Sequence, residues 1–265
     1  LRNSQMLKMV FLLIDIRHQA AEGWKAADGE WSYYDPDGQP VTLTWKKSKD
    51  SWYFLSENGT LLKHCIFRDK DSNYYVDDEG RMAQSAWIFV NVDNGAGDEF
   101  EEGWYYFGAD GKGCRRKSSG FKRKIGDGTY IFDENGKMLS GWFDEDGNMI
   151  DHSDAPFVEG VYYARADGRL LTDEWLDYGN IDEGIGGSDL DSEVAGRNYM
   201  DYEKMWIFFD SHSKKVKSNG DRLRQKTING AQYGFDENGV MIPWWSKVAS
   251  INNADKSNPS SDVSA

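Results

Sequence analysis

One short phrase recurs along the chain: an aromatic cluster, then a polar turn closing on Gly. It reads WSYYDPDG at 31–38, WYFLSENG at 52–59, YYVDDEG at 74–80, WYYFGADG at 104–111, YIFDENG at 130–136, VYYARADG at 161–168 and YGFDENG at 233–239. A unit of about 20 residues is too small to bury a core of its own and must stack on its neighbours. The pattern therefore predicts an all-β fold, a β-hairpin solenoid of about 20-residue repeats with insertions. Runs such as WYF and WYY have high β-propensity. Asn, Asp and Gly in the turns supply residues for positive φ.

The first two units are in strict register, because Trp24, Trp31 and Gly38 recur 21 positions on as Trp45, Trp52 and Gly59. In the third unit the aromatics read as slipped by one, to Phe67 and Tyr74, with register regained at Gly80. Later units keep the turn and lengthen elsewhere. Phe121 and Tyr130 read as a degraded pair, Trp142 as lacking a close partner, and 206–220 as a unit without Gly at its usual place. The expected organisation is a capping segment at 1–22, a repeat array over 23–245 and a polar tail at 246–265. Residues 176–205 form an acidic insertion, and Trp244-Trp245 close the array.

Composition narrows the function. The 265 residues carry a net charge of -14, which repels nucleic-acid phosphate and disfavours nucleic-acid binding. Aromatics make up 14% of the chain, too many for a disordered segment. Cys65 and Cys114 are too few for a disulfide scaffold and read as reduced thiols. The apolar run MLKMVFLLIDI at 6–16 is too short to span a bilayer and is interrupted by Asp15. The chain starts without Met and on that ground is expected to be a fragment or a processed product.

Few constellations suggest chemistry. DLDSE (Asp189, Asp191, Glu193) and the pair Asp144 and Asp146 do not match a calcium loop and read as solvated acids. The basic run CRRKSSGFKRK at 114–124 reads as a solvated face or a contact for phosphate or carboxylate. His18, His64, His152 and His212 are scattered, so no metal site is expected. No nucleophile elbow, phosphate loop or dinucleotide turn is present, and neither catalysis nor a cofactor is expected. The aromatics remain. They are core, or they are left open between hairpins, where they suit a quaternary ammonium through cation–π attraction or the apolar face of a sugar.

The phrases EGWKAADGEWSYYDPDG, LTWKKSKDSWYFLSENGTL and NGAQYGFDENGVM resemble the choline-binding, or cell-wall-binding, repeat of Gram-positive surface proteins. TINGAQYGFDENG is also similar to the glucan-binding and clostridial-toxin versions of that repeat. The resemblance covers residues 23–245. It implies a secreted, cell-wall-associated module that attaches without catalysis to choline on teichoic acid, with a glycan-binding module and a scaffold with degenerate sites as alternatives. It also implies that two aromatics of one hairpin cage a ligand with a third from the next: Trp24 and Trp31 with Tyr53, and Trp45 and Trp52 with Tyr75. Trp87 and Trp104 form a further pair. Ser32, inserted before its Tyr pair, disturbs the first hairpin's pattern.

Overall fold

The computed structural model describes residues 22–151, 156–178, 205–220 and 222–242. The expected cap at 1–22 apart from Glu22, the acidic insertion at 176–205 apart from 176–178 and Met205, the Trp244-Trp245 closure and the tail lie outside the described residues.

The described strands pair in sequence order into antiparallel two-stranded sheets. They are β1 (Gly23–Ala27) with β2 (Glu30–Tyr34), β3 (Thr44–Ser48) with β4 (Ser51–Leu55), and β5 (Cys65–Asp69) with β6 (Ser72–Val76). Next come β7 (Ala86–Val90) with β8 (Gly103–Phe107), β9 (Lys122–Ile125) with β10 (Gly128–Ile131), and β11 (Gly141–Phe143) with β12 (Tyr162–Ala164). The last are β13 (Glu174–Asp177) with β14 (Trp206–Phe209), and β15 (Arg224–Ile228) with β16 (Ala231–Phe235). A helical turn, α1 (Pro156–Glu159), lies within the β11–β12 excursion. This is the expected serial-hairpin, all-β class. The chain forms two compact units. One holds β1–β8 with residues 134–137, and the other holds β9–β16.

The Gly-terminated motifs do not close the hairpins. Hairpin tips are separate turns, such as Asp28-Gly29 and Asn229-Gly230, where both residues have positive φ as a type I′ turn requires. The repeated motif lies after each hairpin. It folds the chain back so that a residue bridges antiparallel to the one six positions later, as in Tyr34–Pro40, Leu55–Leu61, Val76–Met82, Ala164–Leu170 and Phe235–Met241. The amide of the motif's last residue donates to the carbonyl of its first, for example Gly59 to Ser56 and Gly239 to Asp236. Where Asp starts the motif, its Oδ1 also accepts the amide four residues on, as Asp77 does from Arg81 and Asp210 from Lys214. In the unit lacking Gly, Ser213 takes the left-handed φ of 61° and closes the same turn.

These turns hold the stack together. At six of them the residue folded back by the motif donates its amide to the preceding hairpin: Leu61 to Trp31, Met82 to Trp52 and Gly113 to Asn73 in the first unit, and Leu170 to Thr129, Lys215 to Val161 and Met241 to Trp206 in the second. Burial follows. A hairpin is wet near its tip and dry at its base: in β4, Trp52 is 37% exposed and Leu55 is 0% exposed. The bases supply the core, with Ile66, Tyr75, Val90, Tyr105 and Phe107 clustered in the first unit. In the second, Trp142, Tyr163, Leu171, Ile207 and Phe209 form the largest cluster.

Candidate functional site

The strand register fixes which residues are equivalent. Trp24 pairs with Tyr33, Trp45 with Phe54 and Ile66 with Tyr75, while Trp31, Trp52 and Asn73 lie opposite Ala26, Lys47 and Arg68. The third hairpin therefore keeps the 21-residue register without slipping. Ile66 and Asn73, rather than Phe67 and Tyr74, stand at its two cage positions. Asn73 is buried and its Nδ2 donates to the Asn135 carbonyl.

Trp24, Trp31 and Tyr53, the first expected set, lie together in the structure. The Trp24 and Tyr53 rings meet edge to face, with centroids 5.5 Å apart and planes at 70°. Trp24, Trp31 and Tyr53 line one open cavity of about 450 Å³ together with Ser48, Lys49, Leu61 and Glu79. Trp31 stays 43% exposed, while Leu61, held by its bond to the Trp31 carbonyl, forms an apolar wall. Gly80 keeps that wall in place: it has φ of 81°, and a Cβ there would lie 2.9 Å from the Leu61 side chain.

The second cage differs from expectation in its third ring. Tyr75 faces the core at 6% exposure, among Ile66, Val90 and Phe107. The neighbouring Tyr74 meets Trp45 at 4.9 Å and 59°, as Tyr53 meets Trp24. Successive strand residues face opposite ways, so choosing the adjacent Tyr selected the wrong face. Trp45 Nε1 donates to Asp69 Oδ2 at 3.0 Å, which places a carboxylate beside the rings. Burial first and the Asp69 charge next push the Tyr74 phenol upward. Trp87 and Trp104 occupy the two equivalent positions on β7 and β8; Trp87 packs on Tyr106 at 5.0 Å and Trp104 on Phe89 at 5.3 Å.

The two tryptophans on either side of the acidic insertion form a further ring cluster that was not among the expected sets. Trp175 and Trp206 sit on β13 and β14 at the positions of Trp45 and Trp52, with their rings 6.4 Å apart at 90°. Tyr233 of the next hairpin meets Trp175 at 5.0 Å and 66°. Met241 bonds to the Trp206 carbonyl, as Leu61 does to that of Trp31. The acidic insertion parts the two Trp residues in sequence and hides the pairing. A count back from the turn reveals it, because Trp31, Trp52, Trp104 and Trp206 each stand four residues before a motif's first residue.

Elsewhere the same positions are altered. They hold Lys122 and Thr129 on β9–β10, and Gln225 and Gln232 on β15–β16. In the sixth hairpin Trp142 finds a cross-strand partner after all, Tyr163 at 5.0 Å, and is buried. There Lys215 replaces the apolar wall residue. Its ammonium lies 5.5 Å from the Trp142 ring centroid and donates to the Phe157 and Val158 carbonyls of α1. Burial, with Lys217 adding repulsion, lowers its pKa to about 7. The basic run at 114–124 is used inside the fold, as Arg116 donates to the Gly147 and Asp146 carbonyls and Lys122 to that of His212.

A family model for the cell wall binding repeat matches residues 22–39, 44–61 and 102–112. These repeats belong to the cell-wall-binding repeat family. The first matched stretch holds Trp24 and Trp31, the second holds Trp45, Trp52 and Tyr53, and the third holds Trp104. Solved structures share the fold. The modular autolysin LytC from Streptococcus pneumoniae is 16% identical with a TM-score of 0.51, over 83% of this chain and 37% of that one. The choline-binding domain of CbpL from Streptococcus pneumoniae is 17% identical with a TM-score of 0.51, over 83% and 86%. Choline binding protein F from Streptococcus pneumoniae is 19% identical with a TM-score of 0.50, over 83% and 57%. The chain thus spans less than two thirds of LytC and of choline binding protein F. A sequence search of the curated proteins found no match. Among the described residues no helix is long and apolar enough to cross a membrane, and no group of three or more His, Cys, Asp or Glu side chains is placed to hold a metal.

Proposed function

We propose that the chain is a non-catalytic attachment module of a bacterial surface protein, secreted and wall-associated, that binds choline on teichoic acid through its aromatic cages. The observation that carries this is the open cavity of Trp24, Trp31 and Tyr53. The contact between Trp24 and Tyr53 recurs between Trp45 and Tyr74 and between Trp175 and Tyr233, and Trp206 stands beside the last of these. Edge-to-face rings form a concave box whose faces suit a compact trimethylammonium group. A pyranose stacks best on a flat, open ring face, which this geometry does not favour. Carboxylates add to the preference for a cation, with Glu79 lining the first cage and Asp69 bonded into the second.

Magnitudes agree with such a role. Each ring contributes about 0.5–2 kcal/mol of cation–π attraction, and about 4 kcal/mol corresponds to millimolar affinity. A single cage is weak. Several on one chain, facing a polymer that repeats its choline, raise the effective concentration enough for firm attachment. The names of the solved relatives that bind choline point the same way.

The test is a titration of Trp fluorescence with choline chloride and, separately, with glucan oligomers. A response to choline that is weakened by Trp206→Ala is expected. A response to glucan alone would transfer the reading to glycan binding, and silence towards both would leave a scaffold.

A further inference from the structure

We propose that the second unit carries a separate anion site: a basic groove between β14 and β15 that takes the phosphates of a phosphodiester chain. The groove encloses about 490 Å³ and is lined by Lys214, Lys215, Lys217, Arg224 and Lys226, with Asn219 at its edge. Five cations on one cavity are unexpected in a chain of net charge -14. Two acids also line it, Glu145 and Asp210, and both are engaged. Glu145 pairs with Lys214, and Asp210 Oδ1 accepts the amides of His212 and Lys214. Lys215 turns its ammonium away to the α1 carbonyls.

The remaining cations are available. Lys217 and Arg224 are exposed, and among the described residues neither forms an ion pair. Lys226 lies opposite Tyr233 and holds its ammonium 5.7 Å from the Phe208 ring centroid. Crowding of like charge is visible in its effect on neighbours: after burial, Lys217 is the next cause lowering Lys215, and Lys214 the next lowering Lys122. An anion in the groove relieves that repulsion. A guanidinium fork with flanking ammonium groups matches tetrahedral phosphate oxygens better than a planar carboxylate. Cations supplied by two separate segments, the connector after β14 and β15 itself, favour a chain with spaced phosphates over a single ion. The inference stands apart from the choline reading, since its ligand needs no choline.

The experiment is calorimetric titration of the full chain at low salt with poly(glycerol phosphate), inorganic phosphate and choline chloride, for wild type and Lys217→Gln/Arg224→Gln. The expected result is phosphodiester binding that weakens about tenfold or more in the double variant, with choline affinity unchanged. Lys217→Gln alone, at an exposed connector, should give a smaller loss in the same direction. The proposal falls if wild type does not bind the polymer or the double variant binds it equally well. Equal affinity for inorganic phosphate and for the polymer would likewise overturn the chain ligand.

Discussion

Removing one ring from the first cage is the sharpest test of the cation reading. Trp31→Ala is the suitable change because its indole is 43% exposed, so far less buried area is lost than at a core aromatic. The seam bond survives, since Leu61 donates to the Trp31 backbone carbonyl. The loss is then that of one cation–π face, about 0.5–2 kcal/mol, which corresponds to roughly 2- to 30-fold weaker binding at that cage. Indole Nε1–H resonances followed by NMR during a choline titration report each cage separately. The Trp24 midpoint should rise by about that factor while those of Trp45 and Trp175 hold. A neutral isostere, 3,3-dimethylbutan-1-ol, should bind wild type distinctly more weakly than choline. If Trp24 titrates unchanged in the variant, or if the neutral isostere equals choline, the rings are packing or a plain apolar groove and the cation argument fails.

Two further outcomes follow from the register and from the buried amine. Tyr74→Ala should weaken choline binding at Trp45 with a modest effect on folding, whereas Tyr75→Ala should cost about 3–5 kcal/mol in urea unfolding, as truncation of a core aromatic does; the reverse pattern would refute the assigned faces. Lys215 has a folded pKa of about 7 against 10.5 for a free side chain, so between those values the unfolded chain holds the extra proton. Stability should therefore rise with pH across that window, by at most about 1.4 kcal/mol per pH unit from this group. Lys215→Met should flatten the rise and raise stability near pH 6, as urea midpoints over pH 6–9 would show.

The serial hairpins were legible because one physical requirement, stacking of units too small to stand alone, writes the same turn into the chain again and again. The grouping of Trp24, Trp31 and Tyr53 around one cavity was legible for the same reason. Aromatic identity misled where it outweighed position. Phe67 and Tyr74 looked like a shifted Trp pair, yet backbone pairing keeps Ile66 and Asn73 in register. Tyr75 looked like a cage ring, yet the pleat turns it to the core. Trp175 and Trp206 bound the acidic insertion in the sequence, but the meeting of their rings depends on strand pairing across that long excursion, which no local spacing records. The basic groove was equally hidden, because Lys217, Arg224 and Lys226 come from two segments and form no run in the sequence.

The fold-back bond that joins neighbouring modules has a consequence for how such chains diversify. It is anchored beside the last strand of a hairpin, so what happens at the far tip does not reach it. Trp206 keeps its bond from Met241 although the acidic excursion separates it from Trp175. Spacer growth at tips is thereby uncoupled from the pitch of the stack, and a lineage can decorate one edge freely while its adhesive rings stay in place.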